Sequence, residues 1–335
     1  MPDIPEVSVK PLKHYVETHT LKGHDDYIKA LAIVFLGGEH VIISGSYDSS
    51  IKLWNPKNKN DKLLLTLTSH TSYVYCVTTF KIQKEVRLVS GSGDKTIKIW
   101  NPFGKFEKLV DTLIGHTGAV LCLSVLKLNT EELIVSGSLD RTIKVWNPLK
   151  SEKLLMTLKG HEDYVLSLTT LRLNNEEFIV SGSEDKTIKV WNSLARDKEK
   201  LFLSIPAHEK DVTCLATLEV NGDELVVSGS WDRTIKIWNI FAEGNKLVTV
   251  LKGHEKSVSC LCVIRINNED FIASGSEDNT IKVWNPFAQN DKLLLTITGH
   301  DEVNSLASLK LENEDLLVSG SRDTTIKIWK VVSNI

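Results

Sequence analysis

The sequence predicts an all-β fold: a seven-bladed β-propeller with four antiparallel strands in each blade, closed into a ring by its N-terminal strand. Three observations predict it. A segment ending in Trp recurs seven times at nearly constant spacing, each unit contains four short apolar segments, and the chain begins with a segment that matches the fourth strand of a unit. Internal repeats with periods of roughly 20 to 50 residues are typical of solenoids, propellers and arrays.

The repeated segment reads SGSxDxTIKhW, where h is apolar, and it occurs seven times with little change. Its tryptophans are 45 to 47 residues apart, and a His precedes each of them by 30 residues, or by 29 in the last unit. Gly precedes that His in five units, and Ser69 and Ala207 replace it in the second and fifth. The residue missing after His300 predicts one altered loop.

Each unit divides into four strands separated by turn residues. In the third unit the strands are predicted at Val120 to Leu128, Glu132 to Ser138, Thr142 to Trp146, and Lys153 to Leu158. Segments of five to nine residues that are rich in Val, Ile and Leu and bounded by Asn, Gly, Asp and Pro indicate strands. No segment has a convincing helical period.

The ring is expected to close through the N terminus. Residues Tyr15 to Leu21 align with the fourth strands of other units, whereas the last unit ends soon after its third strand at Trp329. The N-terminal strand should therefore become the outer strand of the seventh blade, which leaves fewer unpaired edges. Residues 13–335 are predicted to form a single propeller, and residues 1–12 a short exposed tail.

Four strands repeated seven times, with Gly-His and Trp marking each unit, resemble the WD40 family over nearly the whole chain. The dipeptide that names the family reads Trp-Asn in six units and Trp329-Lys330 in the last. The resemblance implies the propeller, closure of the ring by the N-terminal strand, and use of one face for partners. It also implies a hydrogen-bonded set of Trp, Ser, His and Asp within each blade.

These repeated polar residues are predicted to have a structural role. Buried indole, hydroxyl, imidazole and carboxylate groups each need partners, and seven equivalent sets do not form one catalytic site. The first Ser of SGS is favoured as the member of the set, although the second remains possible. The predicted sets are His24, Ser44, Asp48 and Trp54; His70, Ser90, Asp94 and Trp100; His116, Ser136, Asp140 and Trp146; His161, Ser181, Asp185 and Trp191; His208, Ser228, Asp232 and Trp238; His254, Ser274, Asp278 and Trp284; His300, Ser319, Asp323 and Trp329.

Positions that differ between the units are the candidates for recognition. One kind is the residue before the Asp of each repeated segment, which we call the turn Asp. The other kind is the pair of residues that flank the first Val or Ile after each His. These 21 positions, which we call the variable face, hold five of the six tyrosines and the one Trp that does not end a repeated segment. Such residues often dominate binding energy. The candidate partner-binding residues are Tyr27, Lys29, Tyr47, Tyr73, Tyr75, Leu121, Leu139, Tyr164, Glu184, Asp211, Trp231, Glu277 and Arg322.

Composition narrows the function classes. The formal net charge is -3, and the cations are spread along the chain, so nucleic acid is not the expected partner. No apolar run is long enough to span a bilayer, and no signal peptide is recognised, so we expect no membrane partner and a location inside the cell, cytoplasmic or nuclear. Four of the five cysteines repeat in a slot for small core residues. No metal site and no cofactor are expected.

The favoured function is a non-catalytic scaffold that binds a peptide or protein partner on the variable face. Aromatic residues in units one and two and acids in units four to seven predict a ligand with an apolar or basic anchor. The propeller is expected to be monomeric and able to join a larger complex. Two alternatives remain: a uniform or idealised repeat protein without an evolved partner, and a propeller enzyme, for which one irregular set of catalytic residues would be required.

Overall fold

The computed structural model describes residues 12–36, 38–58, 62–82, 85–105, 108–128, 131–174, 176–192, 200–266, 269–311 and 314–333. These residues form 28 β-strands arranged as seven four-stranded antiparallel sheets. The predicted all-β architecture of seven blades is therefore confirmed. Within the described ranges no helix is long and apolar enough to cross a bilayer.

In blades 1 to 6 the strands follow chain order from the central channel to the rim. Blades 1 and 2 contain β2 (Ile28–Leu36), β3 (Glu39–Ser46), β4 (Ser50–Trp54), β5 (Leu63–Thr68), β6 (Val74–Ile82), β7 (Glu85–Ser92), β8 (Thr96–Trp100) and β9 (Leu109–Ile114). Blades 3 and 4 contain β10 (Val120–Leu128), β11 (Glu131–Ser138), β12 (Ile143–Trp146), β13 (Leu154–Leu158), β14 (Val165–Leu173), β15 (Glu176–Ser183), β16 (Thr187–Asn192) and β17 (Leu201–Pro206). Blades 5 and 6 contain β18 (Val212–Val220), β19 (Asp223–Ser230), β20 (Thr234–Trp238), β21 (Leu247–Lys252), β22 (Val258–Ile266), β23 (Glu269–Ser276), β24 (Thr280–Trp284) and β25 (Leu293–Thr298). Blade 7 contains β26 (Val303–Leu311), β27 (Glu314–Ser321), β28 (Ile326–Ser333) and, at its rim, β1 (Leu12–Leu21).

The N-terminal strand closes the ring as predicted. β1 pairs antiparallel with β28 from Leu12 opposite Ser333 to Leu21 opposite Ile326. Leu21 is buried in a core cluster that joins blades 7 and 1. Leu12 is thus the first residue of β1, one residue earlier than the predicted start of the propeller, and residues 1–11 of the predicted tail lie outside the described residues.

The hydrophobic core lies between neighbouring blades. Each core cluster combines the apolar face of one blade with residues of the next blade. Those residues include the buried Trp near the end of the next blade's third strand; for example, Trp191 of blade 4 packs on blade 3. A Cβ atom added at Gly137 would lie 2.6 Å from both Cys122 Sγ and Val165 Cγ1. This close approach explains why SGS carries Gly and why the facing position holds only Ala, Cys or Ser.

Candidate functional site

Each blade contains one complete hydrogen-bonded chain of Trp, Ser, His and Asp. In blade 3 the indole Nε1–H of Trp146 donates to Ser136 Oγ at 2.8 Å, and Ser136 Oγ lies 2.7 Å from His116 Nε2. His116 Nδ1 lies 2.7 Å from Asp140 Oδ2, and Asp140 Oδ1 accepts the hydroxyl of Thr142 at 2.6 Å. The same chain of contacts occurs in the other six blades.

The ionised carboxylate determines which atoms donate and which accept in this series of hydrogen bonds. Burial alone would raise the pKa of Asp140, but hydrogen bonds from His116 and Thr142 outweigh burial and hold the pKa well below its usual range. Because an ionised carboxylate only accepts, His116 Nδ1 carries the hydrogen and donates. The Ser136 hydroxyl then donates to Nε2, which is nearer than its alternative acceptor, the Lys144 carbonyl at 3.4 Å.

The structure also separates the two serines of SGS. The first, Ser136 in blade 3, lies between the indole and the imidazole. The second, Ser138, accepts the amide of Asp140 at 3.0 Å and so belongs to the turn. In this register the first Ser lies opposite Lys144 and diagonally across from Trp146.

The shortened loop of blade 7 leaves its set of contacts in place but loosens one end. His300 Nδ1 remains 2.7 Å from Asp323 Oδ2, whereas the amide of Asp301 lies 3.4 Å from that oxygen. The corresponding distance in the other six blades is 2.9 to 3.1 Å. The side chain of Asp323 is 27% exposed, compared with 6 to 10% for its six equivalents.

Replacement of Ser136 by Ala should destabilise the protein more than the same change at Ser138. It leaves two buried ring nitrogens, of Trp146 and His116, without their common partner, at a cost of about 2 to 4 kcal/mol. The second change leaves one backbone amide unpaired, at a cost of about 1 kcal/mol. Urea unfolding of both variants checks this, and an equal or larger loss for Ser138→Ala would contradict the assignment.

No described group of three or more His, Cys, Asp or Glu side chains is placed to hold a metal ion. All five cysteines are free thiols, and four of them are buried. Burial raises the pKa of each thiol, as at Cys76 and Cys214. The neutral thiols of Cys76, Cys122 and Cys260 lie 3.6 to 3.8 Å from a carbonyl oxygen of the next blade. These are core contacts.

The variable face is built from one turn and one β-bulge per blade. The residue after each turn Asp closes the turn. It has a positive φ between 66° and 71° in all seven blades, and its amide donates to the backbone carbonyl of the second Ser of SGS. The residue before each Asp donates to the carbonyl of the residue before the first strand, as Glu184 does to Tyr164 at 3.0 Å. The two positions are therefore cross-strand neighbours.

The third variable position of each blade is a bulge residue. The pairing of the first two strands shifts between Val74 and Cys76, which leaves Tyr75 outside the ladder. The same shift in the other blades leaves out Lys29, Leu121, Leu166, Thr213, Ser259 and Asn304. A bulge re-aims a side chain without breaking the rest of the sheet. All three kinds of variable position thus gather at one end of the ring.

Five of the predicted binding residues form a continuous cluster over blades 7, 1 and 2. Tyr47 stacks on Tyr73 with ring centroids 4.4 Å apart, and it meets the edge of Tyr75 at 5.5 Å. Tyr27 lies 5.8 Å from Tyr47, and the Arg322 guanidinium lies 5.0 Å from the ring of Tyr27. Tyr73 is 45% exposed. We call these five residues the tyrosine cluster.

Burial raises the pKa of the Tyr47 hydroxyl, and the neighbouring Tyr75 adds to the shift. Burial likewise lowers the pKa of Lys29, although Glu277 and Glu302 act in the opposite direction. Lys29 is the bulge residue of blade 1, and these two acids belong to blades 6 and 7, so three blades contribute to its electrostatic surroundings.

The remaining predicted binding residues lie apart from the tyrosine cluster. Leu121 and Leu139 of blade 3 are half-buried, as is Glu277 of blade 6. Tyr164 and Glu184 lie on blade 4, and Asp211 and Trp231 lie on blade 5; Trp231 is 47% exposed and Tyr164 is 37% exposed. The predicted aromatic residues therefore divide into a cluster and two separate side chains.

Sequence reasoning missed the contacts between blades on this face. Arg322 Nε donates to the Tyr27 hydroxyl of blade 1 at 2.8 Å, and within blade 7 Arg322 Nη1 lies 2.8 Å from Glu302 Oε1. Glu302 and Asp163 belong to the acids of units four to seven, but neither was a candidate binding residue. The order of the blades could have indicated this contact, because Arg322 and Tyr47 each precede a turn Asp and each contact the loop of the next blade.

Comparison with known proteins agrees with this geometry. The family profile described as "WD domain, G-beta repeat" matches residues 15–55, 61–101, 107–147, 152–192, 199–239, 245–285 and 291–330. One similar solved structure is the WD40 β-propeller domain of Doa1, with 27% identity over 95% of this chain and 97% of that chain and a TM-score of 0.75. No curated protein matches the sequence. Each of the seven matched segments covers the outer strand of one blade and the first three strands of the next, so the seven segments account for seven blades, and the chain therefore belongs to the WD40 family.

Proposed function

We propose that this propeller is a non-catalytic scaffold that binds a protein or peptide partner on its variable face. Propellers of this family generally act as interaction domains for proteins or peptides. The carrying observation is the tyrosine cluster, which gathers four tyrosines and Arg322 at one end of the ring. Exposed aromatic side chains gathered on one surface are typical of interaction sites rather than of folding alone.

The twenty-eight residues of the repeated polar sets have a structural role in this proposal. Each set lies within one blade, and the side chains of its His and Ser members are buried. The partner is a protein rather than nucleic acid, in keeping with the formal charge of -3. Five free thiols are compatible with a reducing, intracellular location. The propeller acts as a monomer that joins a larger assembly.

Replacement of both Tyr75 and Trp231 by Ala should abolish or greatly weaken partner capture. Truncation of one central anchor typically costs about 2 kcal/mol or more, so two should reduce affinity by roughly a thousandfold. The measurement is affinity purification from the source cell, quantified for each partner with wild-type and variant bait. The matched control carries Phe103→Ala and Leu149→Ala, two exposed apolar residues in loops at the opposite end of the ring.

The control variant should capture the same partners as the wild type. Partner capture that survives the Tyr75 and Trp231 changes but is lost with the control would place the site on the opposite face. Absence of any partner specific to the wild type would favour the alternative of a uniform repeat protein without an evolved partner.

A further inference from the structure

Two pairs of neighbouring blades meet on the variable face through the same kind of contact. The residue before the turn Asp of one blade touches the loop of the next, as Arg322 touches Tyr27 and Tyr47 touches Tyr73. Both contacts are favourable: the first combines a hydrogen bond with a cation–π interaction, and the second is a stacked aromatic pair. The equivalent contact between blades 4 and 5 is different in kind.

Between blades 4 and 5 the equivalent positions hold acids. Glu184 takes the position of Tyr47 and Asp211 the position of Tyr73, and Asp163 lies next to Tyr164 in the same loops. Burial raises the pKa of Glu184, and Asp163 and Asp211 raise it further. Burial also raises the pKa of Asp211, with Asp163 adding to the shift. We call Asp163, Glu184 and Asp211 the acidic seam.

Asp211 makes this seam more than a group of surface acids. It is only 8% exposed, and its carboxylate accepts a hydrogen bond from its own backbone amide. Lys186 and Lys210 attract it electrostatically, yet neither forms an ion pair with it among the described residues. Because burial opposes the ionised form of this carboxyl group and no ion pair with a described residue offsets it, a cation from outside would stabilise the charge here.

Two aromatic side chains flank the acids. The amide of Glu184 donates to the carbonyl of Tyr164, and the amide of Trp231 donates to the carbonyl of Asp211 at 3.2 Å. Tyr164 and Trp231 are both exposed. A guanidinium group suits this arrangement, because its planar fork pairs with carboxylates while its faces stack on aromatic rings. A bare metal ion suits it less, since the described residues offer no group of three ligands placed for one.

We propose that the acidic seam binds an arginine side chain of the protein partner, with Tyr164 and Trp231 flanking the guanidinium. This proposal rests on the proposed function, because it assigns chemistry to part of the variable face. The tyrosine cluster on blades 7, 1 and 2 supplies the apolar contact, and the seam supplies the charged one. The partner therefore carries an arginine within reach of an aromatic or aliphatic residue.

Selection from a display library of random 12-residue peptides tests this proposal. The full chain is immobilised as wild type, as the variant Glu184→Gln with Asp211→Asn, and as a control with Glu277→Gln and Asp301→Asn. The control removes the same charge from the same face. Arginine should be enriched about tenfold over its library frequency on the wild type and the control, and should return to that frequency on the seam variant.

The best peptide is then synthesised with arginine, lysine or citrulline at the enriched position, and its affinity is measured by the fluorescence of Trp231. The other seven tryptophans are buried, so the signal reports on this part of the face. Replacement of arginine by citrulline should weaken binding about tenfold on the wild type and less than about twofold on the seam variant. Lysine should bind more weakly than arginine.

Equal arginine enrichment on the wild type and the seam variant would overturn the proposal, as would equal affinity for the arginine and citrulline peptides. Equal affinity for lysine would overturn the choice of arginine. The proposed function is separable from these outcomes. If the Tyr75 and Trp231 variant loses the partner while the seam variant keeps it, the variable face is the site and the acidic seam is not. If neither variant loses the partner, both proposals fail.

Discussion

Acid should unfold this propeller steeply below about pH 4. Every blade holds one Asp whose pKa is lowered because hydrogen bonds from His and from Ser or Thr outweigh the effect of burial. A carboxyl with a lower pKa in the folded chain stabilises the fold above its unfolded pKa of about 3.9, and the contribution is lost as pH falls through the folded value.

The seven groups act together. Each removes up to about 1.4 kcal/mol of unfolding free energy per pH unit below about pH 3.9, so seven remove up to about 10 kcal/mol per unit. That is comparable to the whole stability of a typical domain, about 5 to 15 kcal/mol. Burial raises the pKa of Glu177, Glu184 and Asp211, and these shifts favour the fold as pH falls. They are too few to offset seven lowered carboxyls.

Urea unfolding at pH 7, 5, 4 and 3.5 measures this dependence. The variant Asp140→Asn provides the control, because it cannot titrate at one of the seven positions. It should be less stable than the wild type at pH 7 and should lose about one seventh less stability on acidification. An unfolding free energy that is unchanged between pH 5 and 3.5 would contradict the assignment of the seven carboxylates as ionised.

Deletion of the closing strand should have the second largest effect. Removal of residues 1–21 takes away β1, exposes the edge of β28 and leaves an empty space where Leu21 packs between blades 7 and 1. Loss of one buried Leu side chain alone costs about 2 to 5 kcal/mol. The deletion also removes Tyr15 from the cluster that joins blades 6 and 7. The melting temperature should fall by at least about 10 °C.

Deletion of residues 1–11 is the control for this experiment, since it leaves β1 in place. Differential scanning calorimetry of the two shortened chains gives the comparison. The shorter deletion should melt within about 2 °C of the intact protein. If residues 1–21 can be removed with no more effect than residues 1–11, the ring does not depend on its first strand for stability.

Local patterns predicted most of the fold. The structure places the four strands of blade 3 within one residue of the predicted bounds. The segments rich in Val, Ile and Leu define the strands, and Asp, Asn and Gly at the turns define their ends. Closure was also predictable, since Tyr15 to Leu21 repeat the pattern of a fourth strand. The first Ser of SGS was favoured over the second, because a hairpin centred on the Asp places it diagonally across from the Trp, but the alternative stayed open until the strand register was known.

The contacts on the variable face were harder to predict, because they join residues far apart in the chain. Arg322 and Tyr27 are 295 residues apart and meet only when the ring closes. Tyr27, Tyr47, Tyr73 and Tyr75 could be named as candidates from their positions, but whether they would touch depends on the spacing of neighbouring blades. The low exposure of Asp211 is likewise not evident from the sequence of a single repeat.

The bulge residues carry a consequence for how such a protein can change. Because each one stands outside the hydrogen-bonded ladder, its side chain can be exchanged without altering the strands on either side. In each blade the strands of the repeated unit must keep their sequence pattern, whereas the side chain at the bulge is free to diverge. A chain built from copied units can therefore acquire a new specificity one side chain at a time while its architecture stays the same.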